Sequence, residues 1–207
     1  MPSIAAGKFL PNRMLFHFHQ ALEETTGRTA TALIWNSAGP RRECLPAVTD
    51  DLEKAVAFAR FSALCESIER EYGESGARGI LQRCGRAALS QTLRSTAAIV
   101  GLDAPRLRPT AGSDRMADGL ESVARLLELV SDMECSVDAL PQGYRFRISA
   151  CPECMGRRSG GKICHSVGGM LRGALDWFGI DPAVPVTEFA CSAGGAAGCD
   201  FSIVGAF

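Results

Sequence analysis

The sequence predicts an α+β fold, an antiparallel sheet of about four strands packed against helices with an N-terminal helical region, and three observations predict it. Apolar residues recur at helical spacing through much of the first 130 positions, the period then shifts to two, and a last helical run separates two pairs of strand-like segments. At 207 residues the chain suits one substantial core, divided here into an N-terminal segment, 1–45, and a single domain, 46–207.

Asn12 to Thr26 suits a short helix, with Gly27 as its stop. His17 and His19, two residues apart, point to different sides of that helix, which argues against a shared metal role. Thr29 to Trp35 reads as a short apolar segment, followed by a Gly39-Pro40 break. Asp50 with Glu53 has capping-box spacing, so a helix is expected from Asp50 to Gly73, with Ala57, Phe61, Leu64 and Ile68 as its stripe. A second helix is expected from Ala77 to about Ala98, weakened by Gly79 and Gly85. Gly101 and Pro105 to Pro109 read as a linker. Ser113 then opens a third helix with Met116, Leu120, Val123, Leu127 and Val130 on one face.

Cys135 and Val137, then Tyr144, Phe146 and Ile148, alternate with polar residues around the turn Pro141-Gln142-Gly143, which predicts two antiparallel strands. His165 to Phe178 reads as a helix closed by Gly179 and Pro182. Val184 to Ala190 and Cys199 to Val204 read as two further strands, joined by the glycine-rich turn Gly194 to Gly198.

The net charge of -1 and the 22% charged content argue against a nucleic-acid partner. Arg157, Arg158 and Lys162 are the one basic cluster of note, and a solvated loop accounts for them. No stretch reaches the length of a membrane span and no signal peptide is evident, so a cytoplasmic protein with reduced thiols is expected. The nine cysteines are then free thiols or metal ligands. Cys44, Cys65, Cys84 and Cys135 sit singly among apolar residues and are read as small core hydrophobes.

The remaining five cysteines lie between Cys151 and Cys199. A hairpin would bring Cys191 and Cys199 together, the start of the last helix would add Cys164, and Glu188 joins them if its strand bends before Cys191. Three thiolates and a carboxylate make the closed tetrahedral set of a structural zinc site. The alternative is that Glu188 is a surface residue and the thiols carry no metal. Cys151 and Cys154 form a separate pair: free or reversibly oxidised thiols, a redox pair, or, with Cys164 and Cys191 or Cys199, the ligands of an iron-sulfur cluster. His165 is expected outside the ligand set, because neighbours at a helix start diverge by about 100°.

The pattern of Cys164, Gly168-Gly169, Thr187-Glu188-Phe189-Ala190-Cys191 and Gly198-Cys199-Asp200-Phe201-Ser202-Ile203 resembles the 4-vinyl-reductase domain, over about Phe146 to Ile203. That family includes stand-alone proteins, a protein of bacteriochlorophyll biosynthesis and the sensory domains of phenol- and xylene-responsive activators. The resemblance implies zinc on Cys164, Glu188, Cys191 and Cys199, a small hydrocarbon, phenolic or tetrapyrrole ligand, and a homodimer involving the N-terminal segment. A partner protein would receive the ligand or signal.

No dinucleotide fingerprint or Walker motif occurs, and no nucleophilic set stands out, so binding is favoured over catalysis. The expected function is a zinc-stabilised sensor or carrier, with a tentative pocket of Phe146, Ile148, Trp177 and Phe178 facing Leu120, Val123 and Leu127. An iron-sulfur redox protein, or an accessory protein of vinyl reduction in bacteriochlorophyll synthesis, is the alternative.

Overall fold

The computed structural model describes residues 7–39, 49–96 and 112–204. Cys44, Pro40, Gly101 and Pro105 to Pro109 lie outside them. In chain order the elements are β1 (Phe9–Pro11), α1 (Asn12–Thr26), α2 (Arg28–Ser37), β2 (Lys54–Ala57), α3 (Phe58–Thr96), α4 (Gly112–Val130), β3 (Cys135–Leu140), β4 (Gly143–Ile148), α5 (His165–Trp177), β5 (Val186–Ala190) and β6 (Cys199–Val204). β3, β4, β6 and β5, in that order, make one antiparallel sheet, and β1 pairs with β2. The α+β class with its four-stranded antiparallel sheet and N-terminal helices is therefore the observed fold.

Two local expectations change. Thr29 to Trp35 lies within helix α2, which begins directly after Gly27. Gly27, at φ 85°, closes α1 by donating its N–H to the Glu23 carbonyl and lets the chain turn at once into α2. Asp50 to Glu53 starts no helix. The backbone N–H groups of Asn12 and Arg13 need acceptors at the start of α1, and the carbonyls of Glu53 and Asp51 supply them at 2.9 and 2.8 Å. The capping-box residues thus serve a neighbouring helix, and Lys54 to Ala57 continues as β2 against β1.

α3 breaks at Gly73, whose φ of 67° and ψ of 169° are not helical. The expected stop at Gly73 and restart before Ala77 are therefore present as a kink within one long element. The first half buries Phe61, Leu64 and Ile68 against α1, with Phe18 and Phe61 in edge-to-face contact at 5.1 Å. Leu10, Met14, Leu15, Phe18 and Leu22 belong to the same core, so residues 9–37 pack into the body of the domain. On α4, the whole predicted stripe of Met116, Leu120, Val123, Leu127 and Val130 is buried.

The second half of α3 crosses α5 at backbone distance. A Cβ built on Gly85 would lie 2.0 Å from the Ser166 carbonyl oxygen, and one on Gly169 would lie 2.1 Å from that of Gln82. Only glycine permits this approach, which seats α5 on the inner face of the sheet, near Phe201. Among the described residues, no helix is long and apolar enough to cross a membrane.

Gly169→Ala forces a methyl onto a backbone carbonyl that no rotamer can move, so it should destabilise the domain by about 2–3 kcal/mol in urea titration. Gly79→Ala sits in an exposed helical position with open space around it and should be neutral or stabilising by about 0.5–1 kcal/mol.

Candidate metal centre

The sheet register explains how the donors meet. Cys199 opens β6 opposite Ile148, and Phe201 pairs with Phe146 on one side and Glu188 on the other. These residues share the face under α5. Glu188 and Cys191 are three apart and would point to opposite faces of a regular strand. The ladder between β5 and β6 slips between Glu188 and Ala190, a bulge that re-aims the chain so that both donors reach one point. Cys164, at the start of α5, closes the group from above, and its N–H donates to Glu188 Oε2 at 2.9 Å.

Cys164, Glu188, Cys191 and Cys199 each offer a ligand atom, all within 4.8 Å of one another. The structure also brings Cys151 and Cys154 to the same place. Cys151 Sγ lies 3.5 Å from Cys164 Sγ, Cys154 Sγ lies 3.4 Å from Cys199 Sγ, and these four sulfurs form a second such group. The five thiols are therefore one buried cluster rather than a clasp plus a separate pair. Cys65 and Cys84 are buried elsewhere, and burial pushes their thiols up, Cys84 to about 12, as expected of packing residues. Cys135 is half-buried, and desolvation pushes it too to about 12.

Two features of the cluster are electrostatic. Contact with the Cys151 sulfur first, and then with the other three, draws the Cys154 thiol strongly downward, while contact with the Cys151 sulfur first and then that of Cys154 pushes Cys164 and Cys199 up. Five sulfurs at these separations cannot all be thiolates without a cation among them. Glu188 is pushed up to about 8, first by burial and also by the charge of Cys191. Its Oε1 is buried and, among the described residues, has no partner at good hydrogen-bond geometry, with the Cys191 thiol as its near neighbour.

Glu153, inside the Cys-Pro-Glu-Cys turn, was not legible as a functional residue. It is fully buried, and its two oxygens accept the backbone N–H groups of Ser166 and Val167 at 2.8 and 2.9 Å. It caps α5 from another segment and so fixes the cysteine turn to the helix that carries Cys164. Burial pushes its carboxyl well up, opposed by the two N–H groups. The available signal was the start of α5 itself, where Cys164-His165 provides no side-chain cap. Arg157, read as a solvated loop residue, pairs with Glu69 on α3 and is largely buried, so the loop is anchored there too.

The tentative pocket residues are all placed in or against the packed interior. Leu120, Val123, Leu127, Phe146, Ile148 and Phe178 are each at most 8% exposed, and the Phe178 ring lies against Gly119. Trp177 is partly buried, and its indole N–H has no hydrogen-bond acceptor among the described residues.

Neither a family model nor a curated protein sequence matches the chain. Its likeness is to solved structures of H-NOX proteins. The S. oneidensis H-NOX protein in the Fe(II)NO ligation state aligns over 94% of this chain and 98% of its own, with a TM-score of 0.62 and 11% identity. The Fe(II) unliganded H-NOX protein from K. algicida aligns over 94% and 96%, with a TM-score of 0.63 and 9% identity. At that identity the likeness establishes the fold.

Two expectations are corrected by it. The resemblance to the 4-vinyl-reductase domain does not hold as an assignment, because no family model supports it and the structural neighbours are H-NOX domains. A short cysteine-glycine pattern had stood for a whole domain, when it reports only a local ligand geometry. Zinc and an iron-sulfur cluster are likewise withdrawn as the assigned cofactor, since the solved structures that share this fold are described in Fe(II) ligation states.

The described residues of this chain do not offer a haem a free histidine beside an open slot. A haem needs an axial donor beside an open slot. Of the three histidines, His17 Nδ1 lies 3.2 Å from Gln20 Oε1, and His19 Nδ1 accepts the Trp35 indole N–H at 3.0 Å. His165 is half-buried at the start of α5, where desolvation and then Arg78 lower its pKa. The apolar side chains of α4, α5 and the sheet named above are buried against the core.

Glu153→Ala should cost about 1–3 kcal/mol by removing both acceptors from buried N–H groups. Amide hydrogen exchange at Ser166 and Val167 should accelerate, and Glu153→Gln, which keeps one acceptor oxygen, should show a smaller effect at one of the two.

Proposed function

We propose that this chain is a sensor domain on the H-NOX-type fold whose responsive element is a metal-thiolate centre, held by Cys164, Glu188, Cys191 and Cys199. The single observation that carries the reading is the orphaned Oε1 of Glu188, buried without a hydrogen bond among three thiols at ligand distance. A buried carboxylate oxygen without a donor costs free energy, and a cation removes that cost. Thiolate donors select soft or borderline ions over magnesium or calcium. The four donors come from the start of α5, the bulge of β5, the chain just beyond it and the start of β6. A bound ion therefore links the helix to the sheet edge, and loading or losing it changes how firmly α5 is seated.

Cobalt(II) tests the reading by colour. Added to the reduced, metal-stripped full chain, it should give thiolate-to-cobalt charge transfer and the intense d–d bands of four-coordinate cobalt. The melting transition should rise with it, by about 2.7 kcal/mol in stability at a hundredfold excess over the dissociation constant. Cys164→Ser should abolish the charge transfer from that sulfur and weaken binding at least tenfold. Colourless protein with an unmoved melting transition would sink the proposal. Haemin added to the same protein should produce no ligated Soret band.

A second reading, a small hydrophobic or aromatic ligand, is favoured by the unsatisfied indole N–H of Trp177. A phenolic hydroxyl could accept from it. In a Trp35→Phe background the remaining Trp177 emission should shift on adding phenols, and an unchanged spectrum across a phenol series would exclude this reading.

A further inference from the structure

The cluster holds six donors, and a four-coordinate ion takes four. If one ion bound Cys164, Glu188, Cys191 and Cys199, the sulfurs of Cys151 and Cys154 would be left 3.4–3.5 Å from bound thiolates, on side chains only 3% exposed. If it bound Cys151, Cys154, Cys164 and Cys199, the orphaned Glu188 oxygen would stay orphaned. Both four-donor groups contain Cys164 and Cys199. The sulfurs of those two residues lie 3.5 Å apart, at the centre of the set.

Resting on the metal-centre reading above, we propose that the site is dinuclear: one ion on Cys151 and Cys154, a second on Glu188 and Cys191, with Cys164 and Cys199 bridging both. A thiolate keeps lone pairs after its first metal bond and can therefore span two ions. With metal–sulfur bonds of about 2.3 Å, two thiolates on one tetrahedral ion stand about 3.8 Å apart. The sulfur separations here, Cys151–Cys164 3.5 Å, Cys154–Cys199 3.4 Å, Cys164–Cys191 3.7 Å and Cys191–Cys199 4.0 Å, match that edge around two adjacent centres.

Charge allows two ions as readily as one. Six deprotonated donors and two divalent ions sum to two negative charges, the same as one divalent ion with four thiolates. One ion with all six donors ionised would leave four negative charges in a buried site. Loading is an exchange of protons for cations without any redox change: five thiols and one carboxyl release their protons to water and two ions enter. Ser192 completes the support, with its N–H and hydroxyl each 3.5 Å from the Cys199 sulfur and the hydroxyl 2.9 Å from that of Cys154. Donors beside a bridging sulfur spread its charge further.

Cobalt(II) titration of the reduced full chain, followed by metal analysis after desalting, decides the matter. Two equivalents per chain are expected, with the cobalt EPR signal that appears during the first equivalent losing intensity during the second, because bridging thiolates couple the two spins. The Cys151→Ala/Cys154→Ala variant should take one equivalent with an undiminished signal, and the Glu188→Ala/Cys191→Ala variant should also take one. Saturation of the unaltered protein at one equivalent overturns the dinuclear centre while leaving the metal reading intact. Two equivalents with additive EPR overturn the bridge. No binding at all overturns both readings, so the failures are distinguishable and none depends on a variant folding.

Discussion

The close crossing of α3 over α5 is the constraint on which the rest of the molecule depends. Two helices meet through Gly85 and Gly169 with carbonyl oxygens where side chains would otherwise stand. That approach presses α5 onto the sheet and leaves the residue just before it, Cys164, beside the ends of β5 and β6. Were the helices held apart at the usual 8–10 Å, Cys164 would move away from partners only 3.5–3.7 Å distant. The donor set is thus a product of helix packing as much as of the cysteine spacing.

Around that crossing the structure uses its own segments as caps and anchors. α1 is capped by the backbone of the chain just before β2, and α5 by the buried carboxylate of Glu153. Arg157 ties the cysteine loop back to Glu69, and Arg147 grips Asp200 across β4 and β6 with two bonds of 2.6 and 2.9 Å on the face away from α5. The loop from 151 to 164 is thus held at its turn by Glu153, at its middle by Arg157 and at its end by the Cys164 N–H on Glu188. A site built on such a loop is preorganised, which favours tight ion binding over adaptable capture of a bulky organic ligand.

The helix faces and strand pairs were legible because periodicity is a local property: α4 and the β3–β4 hairpin lie where apolar spacing put them. The cysteine convergence was half legible. Spacing identified Cys164, Glu188, Cys191 and Cys199, but the position of Cys151 and Cys154 depends on where the loop from 151 to 164 is anchored, which is decided by Glu153 at the start of α5 and by Arg157 on α3. Asp50 to Glu53 shows the same limit, since its capping chemistry was readable and its client was not. The family resemblance failed for a related reason. The same cysteine and glutamate spacing follows wherever a hairpin meets a helix start, so the motif reports a local geometry.

The bulge in β5 has a second effect. β5 is one of the two edge strands of the sheet, and a regular edge strand offers an unbroken row of amide groups on which another chain can extend. The slip beside Phe189 interrupts that row and leaves the phenyl ring 43% exposed, out of line with its neighbours. The irregularity that aims Glu188 and Cys191 inward also spoils the outer edge as a template for stacking one molecule on the next. Straightening it would scatter the donors and, at the same stroke, open the protein to ribbon-like self-assembly.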